Sequence, residues 1–359
     1  MKKFFKRFFM ILLTVLVSGL LILWMLNKQA LTNRKQASCD SLLSPVQKAY
    51  LQETLHLKKQ FGSKVWPGLD SVNIPIVVFN NCYEFLTGMD RADAGWETIS
   101  ADDFMGRPYL RRKLREPKAF AVLLDKQWAG MLGTLNQMNF EFLNGIRQEF
   151  PPGIAQLFPY FLARIAPDQY VVSLLHEMFH AYQAVRNPSR FGKIQSLYRV
   201  EQKYPYQNQD FIDLWNKEGF LLWEALSTDD RESMKESIRE FIRIRQERRE
   251  KYQITADLLD FERELEWLEG LAKYAEIRFY ELAAEGDYRS EAVPYRKGLP
   301  HWQMEFSRLQ NSLGEQGSDF RFYLAGMAQA RLLDRIDPDW KTKIMTTNLS
   351  LDELLSSGF

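Results

Sequence analysis

An uninterrupted apolar run stands near the N-terminus of the chain. Residues 8–26 read FFMILLTVLVSGLLILWML and carry no charged side chain. A helix rises about 1.5 Å per residue, so this run is just long enough to cross an apolar bilayer core of about 30 Å. The charged residues of the preceding MKKFFKR (residues 1–7) are all basic. The positive-inside rule therefore predicts that they stay in the cytoplasm while the rest of the chain is exported.

An uncleaved single-pass signal-anchor is the favoured interpretation of this run. A cleaved signal peptide is the alternative, but it usually has a shorter apolar region followed by small residues at a cleavage site. The following NKQALTNRKQ (27–36) offers no such site. We expect a cell-membrane protein whose main domain lies outside the cytoplasm.

The pattern beyond the anchor divides the chain into three parts. Residues 27–45 are largely polar and predict a stalk, residues 46–165 mix helical and β-rich segments, and residues 166–359 are mostly helical. We predict an α+β fold with a small β-containing N-terminal part and a largely helical C-terminal part. In the β-containing part we predict a helix over 46–61 and strands over 72–80, 119–125 and 128–135. Pro75 is expected at the start of a strand or at a sheet edge.

Two long helices are predicted in the C-terminal part. The segment 229–252 is dense in both signs of charge and is typical of a solvated helix. Thr255 stands at the start of a second helix over 255–287 and could cap it. The side chains expected on the buried face of the first helix are Met234, Ile238, Phe241 and Ile242.

The apolar stretch VVSLLHEMFHAYQAV (171–185) contains the residues most able to bind a metal ion. His176, Glu177 and His180 interrupt it with the spacing H-E-x-x-H. No Pro or Gly interrupts residues 169–186, so the two histidines lie one turn apart on the same face of one helix. Two imidazoles so placed can share a metal ion, with the carboxylate between them near a metal-bound water. Two core histidines with hydrogen-bonded partners are the alternative.

A catalytic zinc site usually has three protein ligands, so a third must come from elsewhere. The other two histidines are poor candidates, because His56 has polar neighbours and His301 lies in the loop-like GLPHWQ. The best carboxylate is Glu269, which lies among apolar residues and precedes Gly270, a mid-helix glycine that indicates close approach of another element. Glu224 is the next candidate. Three other acids, by contrast, have charged neighbours and are expected to be solvated: Glu262, Glu264 and Glu266.

H-E-x-x-H followed by a helix reading LEGLAKYAE resembles the gluzincin metallopeptidases, especially their aminopeptidase branch. The resemblance implies a zincin-like fold in which Zn2+ is held by His176, His180 and Glu269. It implies that Glu177 is the general base and that Glu276 supports the site from behind the ligands. The 89 residues from His180 to Glu269 imply a long insertion, since the family's third ligand follows its motif much more closely.

The activity implied is hydrolysis of peptide bonds by a zinc-bound water that Glu177 activates. Tyr323, in the segment SDFRFYLAGMAQA, and His301 are the candidate donors to the oxyanion, and Tyr323 is preferred. The chain has no G-x-M-E-N motif, so an endopeptidase acting on peptide or protein substrates is expected. A catalytically silent or non-peptidase zincin-fold protein, serving as a membrane-tethered binding module, is the alternative.

Charge and cysteine content narrow the remaining possibilities. The net charge is +1, with 47 basic and 46 acidic residues, so no nucleic-acid partner is expected. The two cysteines, Cys39 and Cys82, could form a disulfide in an exported domain or remain free. The oligomeric state stays open.

Overall fold

The computed structural model describes residues 2–37, 39–93, 95–115, 117–151, 164–299, 302–317 and 319–358. Within these residues the chain is a mixed α+β protein, with one six-stranded sheet, an N-terminal apolar helix and a mostly helical C-terminal part. The predicted fold class is confirmed at this level. His301 lies outside the described residues.

The helices were predicted correctly in type for the most part. Those before residue 190 are α1 (Lys2–Ala37), α2 (Pro45–Val65), α3 (Leu135–Glu149), α4 (Pro167–Arg186) and α5 (Pro188–Leu197). Those that follow are α6 (Gln209–Ser227), α7 (Arg231–Lys251), α8 (Ala256–Leu265), a π-helix (Glu266–Gly270), α9 (Leu271–Ala284), α10 (Gln303–Asn311), α11 (Phe320–Ile336), α12 (Trp340–Thr346) and α13 (Leu351–Ser357). Short 3-10 turns occupy Tyr198–Lys203 and Leu313–Glu315.

The predicted helix over 255–287 is interrupted and ends earlier. It consists of α8, the π-helix and α9, and Thr255 occupies the N-cap position without a side-chain cap hydrogen bond. Within the predicted stalk, α1 continues beyond the apolar segment through polar residues to Ala37.

The sheet has the strand order β3-β4-β2-β1-β6-β5, and only the β1–β6 pair is parallel. Its strands are β1 (Ile76–Phe79), β2 (Tyr83–Thr87), β3 (Glu97–Phe104), β4 (Arg107–Lys113), β5 (Phe120–Leu124) and β6 (Gln127–Gly133). The three predicted strands correspond to β1, β5 and β6. Pro75 precedes β1, as the strand-start interpretation requires, but β1 is central, so the edge position was wrong.

Helix α1 contains the one segment among the described residues that is long and apolar enough to cross a membrane. This candidate span, Phe4–Gln29, has a mean hydropathy of 2.7, and none of its most apolar stretch is buried against the protein. A signal sequence near the N-terminus satisfies the same criterion. Just beyond α1, Cys39 and Cys82 form a disulfide, which joins the end of this helix to the start of β2.

Helix α4, which carries H-E-x-x-H, lies against the inner face of the sheet. It begins with Pro167, whose missing N–H is unneeded in a first turn, and ends where Asn187 adopts a non-helical conformation before Pro188. It packs on β6 and β5. A Cβ atom on Gly130 of β6 would lie 2.8 Å from the backbone nitrogen of Met178. Only glycine therefore lets the strand approach the helix this closely.

A second close contact positions the π-helix against α11. The Cα atoms of Gly270 and Gly326 face each other, and a Cβ on Gly326 would lie 2.6 Å from the carbonyl oxygen of Glu266. The sequence predicted that another element approaches Gly270 closely, and that element is α11. Both glycines are needed because the two backbones touch.

We expect Gly326→Ala to destabilise the protein by about 1–3 kcal/mol, the usual cost of overpacking a well-packed contact. The added methyl group must push the backbone of the π-helix away from α11. Gly192→Ala in α5 is the matched control, because nothing lies within 4 Å of its added Cβ and alanine favours a helix. Thermal unfolding in detergent measures both. Equal melting temperatures for the two variants would contradict the contact.

Candidate metal centre

Three predicted residues meet in the interior between α4 and the π-helix. His176, His180 and Glu269 are all buried, and their ligand atoms lie within 4.8 Å of one another. The Oε2 atom of Glu269 lies 3.4 Å from Nε2 of His176 and 3.2 Å from Nε2 of His180. A tetrahedral zinc ion with bonds of about 2.0–2.1 Å places neighbouring ligand atoms about 3.3 Å apart. The spacing of the three atoms fits such an ion.

The other ring nitrogen of each histidine has its own partner. Nδ1 of His176 lies 3.0 Å from Oε2 of Glu276, and Nδ1 of His180 lies 3.0 Å from Oε1 of Gln183. The Gln183 amide donates to the carbonyl oxygens of Trp267 and Leu268, so its Oε1 is the acceptor. Both imidazoles therefore carry their proton on Nδ1 when neutral.

It follows that three electron-pair donors converge when both histidines are neutral. The Nε2 lone pairs of both neutral histidines point at Oε2 of Glu269, which accepts no hydrogen bond from the described residues. Only a proton or a metal ion between these atoms relieves that repulsion. Burial lowers the pKa of His176, but Glu269 and Glu276 outweigh it and raise the value to about 10. The centre thus favours positive charge and could hold a metal ion.

Glu177, one residue after the first histidine, is also buried, and its Oε2 atom has no hydrogen-bond partner among the described residues. Burial raises its pKa most. The two histidines lower it and the carboxylates of Glu269 and Glu276 raise it again, to about 7. A carboxylate of this kind is suited to exchanging protons near neutral pH.

Glu276 is satisfied on every side by hydrogen bonds. Its Oε1 atom accepts from Nζ of Lys273 at 2.9 Å and from Nε1 of Trp302 at 3.2 Å, while Oε2 faces His176. Burial alone would raise the pKa of Glu276, but Lys273 and His176 lower it to about 2. Glu276 is therefore ionised and fixes the orientation of the His176 ring.

Tyr323 lies where the prediction placed it, beside the centre. Its ring stacks on His176, with centroids 5.8 Å apart and planes 13° apart. Burial and the negative charge of Glu269 hold its pKa well above the usual range, so its hydroxyl remains a donor.

The remaining candidates lie elsewhere. His56 is exposed and contacts Gln60, as expected of a surface residue. Glu224 is exposed and accepts from Ser237 at 2.7 Å, so it does not compete with Glu269.

The expectation that the three acids of α8 and the π-helix are solvated was wrong. Glu262 and Glu266 are fully buried, and Glu264 is half-buried against Arg190. Glu262 and Glu266 pair with arginines of α7, whereas the partner of Glu264, Arg190, stands on α5. The sequence could not show this, because the partners lie on other helices.

Helix α7 is likewise less solvated than predicted. Met234, Ile238 and Phe241 are buried as expected and Ile242 is half-buried, but Arg245 and Arg248 are also fully buried. Arg245 donates two hydrogen bonds to Glu266, at 2.7 and 2.9 Å, and one to Glu218. Arg248 binds Glu218 and Glu262 in the same manner.

This buried charge network supports the third ligand. Glu266 is the first residue of the π-helix and Glu269 is its fourth, so Arg245 clamps the same five-residue turn that presents the ligand. A π-helical turn re-aims side chains relative to a regular helix and is frequent at functional sites. The long segment between H-E-x-x-H and Glu269 therefore positions that ligand.

Residues that sequence reasoning missed lie directly behind the ligands. Gln183 is three residues after His180 on an apolar helix, and Lys273 is four after Glu269. Polar side chains one turn from a predicted ligand are a signal that could have identified both. Trp302 gave no such signal, since tertiary packing alone brings it to Glu276.

No protein-family model, no curated protein and no solved structure matches this chain. The chemistry of the centre therefore has to be argued from its own residues.

We expect Glu266→Gln to destabilise the protein by about 3–5 kcal/mol, because removing one member of a buried ion pair leaves the other uncompensated. Here the uncompensated charge is that of Arg245. Glu240→Gln on α7 is the control, since its partner Arg243 is exposed and surface pairs contribute little. Urea unfolding in detergent measures both changes. A network without structural importance would give two indistinguishable curves.

Proposed function

We propose that the protein is a membrane-anchored zinc metallopeptidase of gluzincin type. The observation that carries the proposal is the convergence of His176, His180 and Glu269, with the unpartnered, buried carboxylate of Glu177 beside them. Two nitrogens and one carboxylate oxygen are a common ligand set of catalytic zinc, which keeps a fourth position open. Calcium and magnesium prefer oxygen ligands, so the imidazoles argue against them.

In this proposal the residues of the chain have separate tasks. Zinc, when bound, supplies a Lewis acid that polarises a carbonyl and lowers the pKa of a bound water to about 7. Glu177 accepts the proton of the attacking water on its free oxygen and passes it to the leaving amine. Tyr323 keeps its proton and donates to the oxyanion that forms on the scissile carbonyl. Glu276 and Gln183 hold the two imidazoles in the tautomer that leaves Nε2 free.

The architecture is compatible with a zincin-like fold. Helix α4 lies under a sheet, and the third ligand comes from a later helix that packs across it. The departure from the gluzincin pattern is the segment of α5 to α8 between the two ligand helices. The buried arginines of that segment help to position Glu269, which gives the long insertion a structural role.

A peptide substrate is supported by the strand nearest the centre. β5 pairs only with β6 among the described strands, so its other edge is open. The ring of Phe120 in β5 lies 4.8 Å from that of His180. An extended peptide could add to this edge through backbone hydrogen bonds and bring a peptide bond to the site. A silent binding module would use the same edge without needing Glu177.

The location we propose is the outer side of the cell membrane. The basic residues before the apolar span favour a cytoplasmic N-terminus, and the Cys39–Cys82 disulfide is suited to an oxidising compartment. The catalytic part would then act on exported peptides or proteins.

Purified protein should contain one zinc ion per chain, and Glu269→Gln should weaken zinc binding severely, because a neutral amide is a poor zinc ligand. Glu276→Gln should cost less, about 10–100-fold in affinity, since it acts through His176. Glu285→Gln, an exposed acid just after α9, is the control. Competition with a chromophoric chelator measures the affinities. A His176→Ala/His180→Ala variant that kept its zinc would refute the metal assignment.

Glu177→Gln should lower the rate of cleavage of unfolded casein by about 10²–10⁴-fold, the usual contribution of a general base, while the zinc content stays unchanged. Cleavage should also stop with a chelator and return with zinc. Casein binding without cleavage by the unaltered protein would favour the binding module instead.

A further inference from the structure

Several apolar side chains are exposed at the end of the domain that α1 joins. They are Leu42 (42% exposed), Val46 (57%), Phe142 (45%) and Phe150 (39%). We call these four residues the membrane-facing rim. Two precede or begin α2, and two lie on α3 or at its C-terminal end.

Specific contacts join the start of α2, the start of α3 and the disulfide. Gln47, next to Val46, accepts a hydrogen bond from the backbone N–H of Leu135 at the start of α3. Gln137 of α3 donates to Asn81 at 2.8 Å, directly beside the disulfide-bonded Cys82. The disulfide in turn holds the chain two residues after the end of α1.

Helix α3 also packs against α1 itself. Asn27, near the end of the candidate span Phe4–Gln29, is buried, whereas the side chains earlier in the span are mostly exposed. The domain thus meets α1 at the last turns of the apolar segment. If α1 crosses a bilayer, α3 lies where the headgroups meet the acyl chains.

We propose that the membrane-facing rim inserts into the headgroup region of the bilayer that α1 crosses. Amphipathic surfaces at this depth bury their apolar side chains about 5–10 Å into the boundary. Aromatic side chains are enriched there, and Phe142 and Phe150 supply two. The domain is then held against the membrane by its own surface, as well as by its anchor.

This docking orients the candidate metal centre. The side chain of Asn139 in α3 accepts a hydrogen bond from the backbone N–H of Ile165 at 2.7 Å, two residues before α4 begins. Gln47 donates to the hydroxyl of Tyr170 in the first turn of α4, at 2.7 Å. Helix α4 therefore starts at the rim. His176 is nine residues further, about 14 Å along the helix axis.

The test uses the full-length protein in phosphatidylcholine vesicles. Phe142→Cys and, separately, Val46→Cys are labelled with an environment-sensitive fluorophore, and the native cysteines do not react because they are paired. Val185→Cys is the matched control, because Val185 is 44% exposed and lies at the far end of α4. Lipids with a spin label at the fifth acyl carbon serve as quenchers.

We expect several-fold stronger quenching at positions 142 and 46 than at position 185. Equal quenching at all three positions would overturn the proposal. A blue-shifted label at position 142 that the lipid quencher does not reach would also overturn it and would identify a second protein chain as the occupant. Neither readout depends on zinc or peptidase activity.

Discussion

The repulsion among three buried electron-pair donors is the constraint on which the site depends. The Nε2 atoms of His176 and His180 lie 3.4 and 3.2 Å from Oε2 of Glu269. Gln183 and Glu276 hold the imidazoles through Nδ1. The result is a group of three ligand atoms that is unfavourable unless a proton or a metal ion lies between them.

The position of Glu269 depends on contacts that have no part in chemistry. Arg245 clamps Glu266 at the start of the π-helix, and the Gly270–Gly326 contact sets the distance of that turn from α11. A buried ion network is costly to desolvate and contributes little net stability. The network instead fixes the relative orientation of the helices, because bidentate Arg–Glu pairs specify one arrangement of the helices they join.

Helix α4 connects the centre to the rest of the molecule. Its inner face is packed on β6 through Gly130, and its first turn is held by α2 and α3 at the end of the domain nearest α1. The edge strand β5 contacts His180 through the ring of Phe120. One helix thus carries two ligands, contacts the sheet that could bind a peptide, and begins at the surface proposed to meet the membrane.

The local pattern was sufficient for features that depend on short-range physics. The apolar helix α1, the bounds of α4, and the spacing of His176 and His180 follow from periodicity, from helix-ending residues and from the geometry of a single helix. Glu269 could be selected because an acid among apolar residues needs a partner. Strands β2 to β4 escaped prediction, and in β3 and β4 many charged residues hide the alternation that marks a strand.

What only the tertiary structure decided concerns charges and distances between separate elements. The sequence indicated that Glu262 and Glu266 were solvated, because the arginines that neutralise them stand on α7 and no local pattern pairs them. The π-helical turn, the Cys39–Cys82 bond and the position of Trp302 beside Glu276 also depend on packing. A sequence specifies the ligands when they share a helix, whereas ligands on different helices are brought together only by the fold.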